Sequence, residues 1–181
     1  MPHSQARLVI SALVLLLGVG ASSCSTGDQQ VWTKNGQLLT SEGPFFIQGV
    51  CYHPVAIGEE KRSFDLLTED LALMREMGVN TLRVYEPIAS QEVLDEIHAA
   101  GLSVIIGFGY NQGGVYDLKS GTYLDYVRAF KSHPAILLWE LGNEYNYHPE
   151  WFDGSLDVWY ETLKATSAAI QAEDPAHPVS T

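Results

Sequence analysis

Four short segments of the sequence carry polar and aromatic side chains that packing alone does not require. They are Cys51-Tyr52-His53-Pro54, Arg83-Val84-Tyr85-Glu86-Pro87, Gly107-Phe108-Gly109-Tyr110-Asn111 and Glu140-Leu141-Gly142-Asn143-Glu144-Tyr145-Asn146, and each ends an apolar run. Carboxyl groups and an imidazole can move protons in an active site, and a guanidinium can hold a neighbouring carboxylate in its charged form. Whether they do so depends on a fold that brings the four segments together.

The apolar runs predict β-strands, and the amphipathic segments between them predict helices. Strands are predicted over residues 45–52, 79–85, 102–108 and 135–141, with a fifth beginning near Pro178. Helices are predicted over residues 64–77, 90–100, 122–132 and 155–173. Gly78 and Gly101 stand where a helix C-terminus favours a left-handed residue. Strands that are apolar on both faces and alternate with helices indicate a parallel sheet.

Two parallel architectures fit this alternation, a doubly wound sheet and a (β/α)8 TIM barrel. The first strand is followed by His53-Pro54-Val55 instead of a glycine-rich phosphate turn, which disfavours a nucleotide-binding sheet. We therefore predict an α/β fold of the barrel class. A complete barrel takes roughly 250 residues. Because residues 31–181 hold about four βα units and the start of a fifth, we expect an incomplete N-terminal portion, preceded by a β-hairpin at Asn35-Gly36.

The N-terminal residues differ from the rest of the chain. Arg7 precedes an apolar run over residues 8–20, and small residues follow up to Cys24. This pattern predicts an export signal over residues 1–23 and resembles a bacterial lipobox, in which the cysteine becomes the lipidated N-terminus. Residues 24–30 would then form a polar tether. An ordinary signal peptide and a retained anchor stay open as alternatives, but we expect an exported, lipid-anchored protein on the bacterial membrane.

Composition excludes several classes of partner. The chain of 181 residues is 46% apolar, which is typical of a globular domain, and its formal net charge is −12. No basic stripe is present to bind phosphates, so nucleic acid is excluded as a partner. Apart from Cys24, Cys51 is the one cysteine, so neither a disulfide framework nor a thiolate metal site is available, and Cys51 is expected to be inert packing.

The order of the strand-end motifs resembles that of the clan A glycoside hydrolases, whose fourth strand ends in Asn-Glu. The segment from Phe46 to Pro54 also resembles the first barrel strand of family 2 glycosidases. Together with Asn80-Thr81-Leu82-Arg83-Val84-Tyr85, it is similar to the family 72 β-1,3-glucanosyltransferases. The resemblance runs from about Val31 to Thr181. It implies hydrolysis of β-linked oligo- or polysaccharides by a retaining mechanism, without a cofactor.

The resemblance also implies roles for individual residues. Glu144 would be the general acid/base, Asn143 would hydrogen-bond the sugar 2-hydroxyl, and Arg83 would hold the nucleophile in its ionised form. The nucleophile of the clan is a glutamate at the end of strand seven, which we expect to lie outside this sequence. Contacts with the sugar are expected from four further residues: His53, Tyr52, Tyr110 and Tyr145.

Simpler interpretations of the same residues remain open. Glu144 could be a solvated loop carboxylate, and Glu140 could be structural or could support the site. Arg83 could pair with Glu86 or with an acidic residue of a helix. His148 lies four residues after Glu144, but the spacing supplies no third ligand, so no metal site is predicted. Trp139 is expected to pack in the core.

The acidic composition disfavours polyanionic sugars and tolerates neutral ones, and together with the resemblance it implies a neutral β-linked glycan as the substrate. Transglycosylation of β-1,3-glucan is an alternative. A non-catalytic carbohydrate-binding lipoprotein is another, because one carboxyl group cannot run a double displacement. Self-association through the open edge of the barrel is also expected.

Overall fold

A computed structural model describes residues 30–109 and 115–181 of the chain. The predicted signal segment, Cys24 with nearly all of the tether, and Tyr110 therefore lie outside the described residues. Within these ranges, no helix is both long enough and apolar enough to cross a membrane.

Five parallel strands form the central sheet. They are β4 (Gly49–Cys51), β5 (Thr81–Val84), β6 (Ser103–Phe108), β7 (Ile136–Leu141) and β8 (Val179–Ser180), and they lie side by side in that order. The predicted parallel sheet is thus confirmed, and β4 and β8 form its edges in the described part of the chain. Closure into a barrel stays a prediction.

The first predicted strand is shorter than the sequence suggests. Residues 45–48 separate β4 from β3 (Gly43–Pro44) instead of continuing one strand. The side chain of Asn80 provides the reason, because its Oδ1 accepts from the Gln48 backbone N–H at 2.9 Å and its Nδ2 donates to the Phe46 carbonyl at 2.8 Å. These backbone groups are therefore bonded to a side chain and not to a strand.

Helices follow the first four strands of the sheet. They are α1 (Leu67–Glu76), α2 (Gln91–Ala99), α3 (Tyr123–Phe130) and α4 (Leu156–Glu173). The Ser90 hydroxyl caps α2 by accepting from the Val93 N–H at 3.3 Å. Gly78 and Gly101 have φ values of +81° and +78°, which confirms the left-handed residues predicted after α1 and α2.

The main core lies between the helices and one face of the sheet. Alternate strand residues such as Leu82, Val84, Ile106 and Leu141 are fully buried there. Trp139 is also fully buried, as predicted, and its Nε1 donates to Asp174 at 2.7 Å.

The predicted hairpin covers part of the opposite face of the sheet. Strands β1 (Val31–Lys34) and β2 (Gln37–Thr40) pair antiparallel across Asn35 and Gly36, whose φ values of +52° and +75° suit a two-residue hairpin turn. Val31 packs with Ile105, Leu137 and Leu138 in a second apolar cluster. The Val31 N–H also donates to the Ala176 carbonyl at 2.9 Å.

Candidate active site

Arg83 and Glu140 project from the sheet face that the helices do not cover. Each stands between two buried core residues of its strand, so the two-residue alternation of a strand turns both to the opposite side. Arg83 Nε donates to Glu140 Oε2 at 2.7 Å across the intervening strand β6. The two side chains are 24% and 14% exposed, so this ion pair is largely shielded from water.

The Arg83 guanidinium has further partners around it. Nη2 donates to Asn143 Oδ1 at 3.1 Å, and Nη1 lies 3.8 Å from Cys51 Sγ. The Tyr85 ring lies under the guanidinium, with 4.7 Å between Cζ and the ring centroid. Burial disfavours the charged form of Arg83 and would lower its pKa. Hydrogen bonds with Cys51 and Glu140 outweigh this effect, so the pKa of Arg83 is raised. The alternative pairing of Arg83 with Glu86 is therefore wrong, since the ion pair is with Glu140.

Cys51 does not pack in the core as the sequence suggests. It is exposed, on the same side of the sheet as Arg83. Hydrogen bonds with Tyr85 and Arg83, together with the positive charge of Arg83, lower the pKa of the Cys51 thiol. The signal that could have found this position is strand alternation, because Cys51 pairs in register with Arg83.

Glu144 stands on a tight turn immediately after β7. Its φ and ψ of 57° and 26° are left-handed, and Gly142 before it has φ of +77°. A β-carbon at Gly142 would lie 3.1 Å from the Trp159 and Tyr145 rings, so the chain approaches these rings closely. Left-handed backbone is uncommon for a residue such as glutamate. The turn directs Glu144 into a cavity of 440 Å³ that Arg83, Glu140 and Asn143 also line.

Of the other predicted site residues, some lie near the cluster formed by Arg83, Glu140, Asn143 and Glu144, and others do not. His53 is exposed and meets the Tyr85 ring edge-on, with 6.3 Å between centroids. Tyr145 is buried against Trp151, Phe152 and Trp159, and it also lines the cavity. His53 and Tyr145 are thus near Arg83 and Glu144, respectively.

The structure does not bring Tyr52 to the cluster. Its side chain is buried on the helix side of the sheet, and its hydroxyl donates to Asp70 of α1 at 2.8 Å. Burial and the hydrogen bond with Asp70 raise its pKa. Because Cys51 faces the cleft, strand alternation turns the next residue, Tyr52, away from it. A packing role fits this position better than the predicted sugar contact.

A second cavity of 560 Å³ meets the first at Asn143 and Tyr145. Trp151 lines this cavity, with the His148 ring stacked on it at 4.1 Å. Arg62 lines it too and donates to the carbonyls of Glu86 and Pro87 at 2.7 and 2.8 Å. Neither Trp151 nor Arg62 has a sequence signal that marks it in advance. In residues 30–109 and 115–181, no group of three His, Cys, Asp or Glu side chains could hold a metal ion.

Known proteins with similar sequences are glycosidases. No protein-family model matches the chain. The β-glucuronidase of Rattus norvegicus is 30% identical over 164 residues, and the human β-glucuronidase is 27% identical over 164 residues; each match covers 85% of this chain and 24% of the relative. The β-galactosidase of Alteromonas mediterranea is 29% identical, over 84% of this chain and 17% of the relative. The chain thus spans about a quarter or less of the length of these relatives.

Solved structures with a similar fold are of the same kind. The β-glucuronidase of Faecalibacterium prausnitzii matches with a TM-score of 0.66 at 20% identity, over 83% of this chain and 27% of that protein. A glycosyl hydrolase family 2 member from Bacteroides cellulosilyticus matches with a TM-score of 0.59 at 17% identity, over 83% and 21%. Sequence and fold together relate this chain to the glycoside hydrolases.

Proposed function

We propose that this chain supplies the acid/base side of a retaining β-glycosidase active site, with Glu144 as the proton donor and acceptor. One observation carries the proposal. Glu144 is held in left-handed backbone at the carboxyl end of β7, directly after Asn143, which is hydrogen-bonded to Arg83. Strained backbone persists where surrounding structure fixes it, and it concentrates at functional sites.

In the proposed reaction, Glu144 protonates the glycosidic oxygen while a second carboxylate attacks the anomeric carbon. The glycosidic bond breaks, and a glycosyl-enzyme bond forms. Glu144 then takes a proton from a water molecule as that water attacks the anomeric carbon. The glycosyl-enzyme bond breaks, the second carboxylate is regenerated, and the sugar leaves with its configuration retained. The second carboxylate would lie about 5–5.5 Å from Glu144. We place it on the seventh strand of a (β/α)8 barrel whose strands one to five are β4 to β8.

Asn143 and Arg83 support this chemistry in the proposal. Asn143 would hydrogen-bond the sugar 2-hydroxyl, a contact that strengthens in the transition state. Arg83 would favour the charged form of the second carboxylate, because a guanidinium within about 4–6 Å lowers the pKa of a carboxyl group. His53 and Tyr145 would border the sugar, and no cofactor takes part.

We propose a neutral β-linked glycan as the substrate. The net charge of −12 disfavours an anionic sugar, although most of the similar proteins carry the name β-glucuronidase. An aryl β-galactoside or β-glucoside should therefore be turned over faster than the matching aryl β-glucuronide. A faster glucuronide would contradict this substrate class.

The test of the acid/base role is turnover by the complete barrel in which this chain supplies strands one to five, and by variants of that barrel. Glu144→Gln should lose about 10²-fold or more in rate, because the general acid is removed. Glu161→Gln, the same change on an exposed position of α4, should keep the wild-type rate. With Glu144→Ala, added azide should restore turnover of an activated aryl glycoside and yield a β-glycosyl azide. A Glu144→Gln variant with the full rate would show that the assignment is wrong.

A non-catalytic sugar-binding protein is the second candidate, and one observation favours it. The charge of Arg83 is already compensated by Glu140 at 2.7 Å, so the described residues leave Arg83 no uncompensated charge for another carboxylate. Calorimetry with β-linked oligosaccharides separates the candidates. Binding by this chain, without product from any glycoside incubated with the complete barrel, would support this second candidate and contradict the first. Products longer than the substrate would identify a transglycosylase.

A further inference from the structure

We propose that Glu140 is a positioning residue, which fixes the Arg83 guanidinium so that Arg83 in turn orients the Asn143 side chain for substrate. The inference deepens the proposed function, and it rests on that function only for the identity of the ligand. The positioning itself depends on the contacts between Glu140, Arg83 and Asn143, and all three residues lie in the described part of the chain.

The first step is the rigidity of Glu140. It stands within β7 between two fully buried residues, Trp139 and Leu141, in a strand that pairs on both sides. Its carboxylate is 14% exposed and receives the Arg83 Nε–H at 2.7 Å, a short hydrogen bond between charged groups. A group on a central strand is held more precisely than a group on a loop. Glu140 is therefore suited to fix its partner.

Glu140 determines the orientation of the Arg83 guanidinium. Besides Glu140, Arg83 contacts Asn143 Oδ1, the Cys51 sulfur and the Tyr85 ring. In the described part of the chain, Glu140 is the one carboxylate within 4.0 Å of Arg83. Because the guanidinium is planar, fixing Nε also fixes the directions of Nη1 and Nη2. The carboxylate thus determines where Arg83 points.

Arg83 determines the orientation of the Asn143 side-chain amide. An arginine side chain donates hydrogen bonds and accepts none, so the atom of Asn143 that faces Arg83 has to be the carbonyl oxygen. The amide nitrogen is then on the other branch of the side chain, and Asn143 lines both cavities. Asn143 consequently offers N–H donors to a ligand, which fits a hydroxyl oxygen of a sugar.

Cys51 provides a measurement of Arg83 placement that does not depend on turnover. A hydrogen bond with Tyr85 lowers the pKa of the Cys51 thiol most, Arg83 lowers it as well, and the charge of Glu140 raises it by a smaller amount. In a Cys24→Ser background, Cys51 is the one thiol of the chain. Its pKa follows from the rate of alkylation by iodoacetamide between pH 5 and pH 10, since only the thiolate reacts.

The sign of the change in the Cys51 thiol pKa shows whether Glu140 or the other contacts hold Arg83 in place. If Glu140 positions Arg83, Glu140→Ala releases the guanidinium, the thiol pKa rises as it does in Arg83→Ala, and alkylation at pH 7 slows by about 3-fold or more. If the other contacts hold Arg83 without Glu140, the same variant removes only a negative charge, and the thiol pKa falls. A fall in the thiol pKa would overturn the proposal.

Two further variants serve as controls, one for the hydrogen bond to Arg83 and one for folding. Glu140→Gln keeps an oxygen that can accept the Nε–H, so it should hold Arg83 in place and prevent the rise in thiol pKa. Urea unfolding checks that each variant is folded. If Glu140→Ala does not fold, Glu140→Thr replaces it, because threonine suits a strand and is too short to reach Arg83. Absence of turnover in the complete barrel that contains this chain would contradict the proposed function and leave the thiol result unaffected.

Discussion

At the scale of single residues, Glu144 combines the side chain proposed as the acid/base with an unfavourable backbone. Left-handed backbone costs a non-glycine residue roughly 1–2 kcal/mol, and asparagine adopts it more readily than glutamate does. The carboxylate therefore occupies a position where another residue would make the protein more stable. This is the relation between activity and stability that is expected at a catalytic residue.

The resulting prediction concerns Glu144→Asn. We expect this variant to be as stable as the wild type or more stable by about 0.5 kcal/mol, while it loses glycosidase activity. The control is Glu161→Asn in the helix α4, which should lose about 0.5 kcal/mol because asparagine is a poorer helix former than glutamate. Urea unfolding measures both variants. A clear loss of stability in Glu144→Asn would mean that the Glu144 carboxylate makes a stabilising contact.

At the scale of secondary-structure elements, a buried polar network joins β7, the end of α4 and the start of β8. Asp174 is 2% exposed and accepts from Trp139 Nε1 at 2.7 Å, and its Oδ2 lies 2.8 Å from His177 Nδ1. Its Oδ1 accepts from the Ala176 N–H at 3.0 Å. Burial disfavours the charged form, but hydrogen bonds with His177, Trp139 and Ala176 outweigh it and lower the pKa of Asp174.

This network predicts an acid-dependent loss of stability. A carboxyl group whose pKa is lower in the folded state stabilises the fold above its unfolded pKa of about 4, and that contribution is lost as the pH falls through the lower folded value. Asp174→Asn should cost about 1–3 kcal/mol at pH 7. The difference between variant and wild type should shrink below about pH 4. Urea unfolding at pH 7, 5 and 3 tests this, and a difference that stays constant with pH would contradict it.

The elements of this fold were largely predictable, and their contacts less so. The hairpin, the helices and the parallel strands follow from local signals such as Asn35-Gly36 and the apolar periodicity. The break at residues 45–48 depends on Asn80, a side chain distant in sequence, which no local pattern indicates. Likewise, alternation places Arg83 and Glu140 on one face, but the pairing between them needs the register of three strands. Tyr52 directly follows Cys51, so strand alternation turns its side chain away from the cleft and excludes the predicted sugar contact.

At the scale of the whole molecule, the edges of the sheet are predicted to cause self-association. Strands β4 and β8 each pair on one side only in the described structure. Such edges present backbone N–H and C=O groups to other chains. The isolated 181-residue chain should therefore elute larger than a monomer in size-exclusion chromatography with light scattering, and Ser180→Lys on β8 should reduce this. Leu73→Lys on the exposed face of α1 is the control, and a sharp monomeric wild-type peak would contradict the prediction.

We also propose that the chain is exported and lipidated at Cys24. In a bacterial host, the wild-type chain should incorporate labelled palmitate and fractionate with membranes, because acylation adds about 0.8 kcal/mol of membrane affinity per buried CH₂ group. Cys24→Ser should lose the label, whereas Cys51→Ser should keep it. Label retained by Cys24→Ser would show that lipid is attached elsewhere or that the lipobox interpretation is wrong.

The contact between Val31 and Ala176 has a consequence for the order of folding. It joins residues at opposite ends of the described chain, and contacts between such distant residues form slowly because a long loop has to close first. The hairpin should therefore dock after the parallel strands have assembled. Interactions that form late affect the unfolding rate more than the folding rate. The docked hairpin would then slow unfolding, and so lengthen the lifetime of the folded state, without speeding folding.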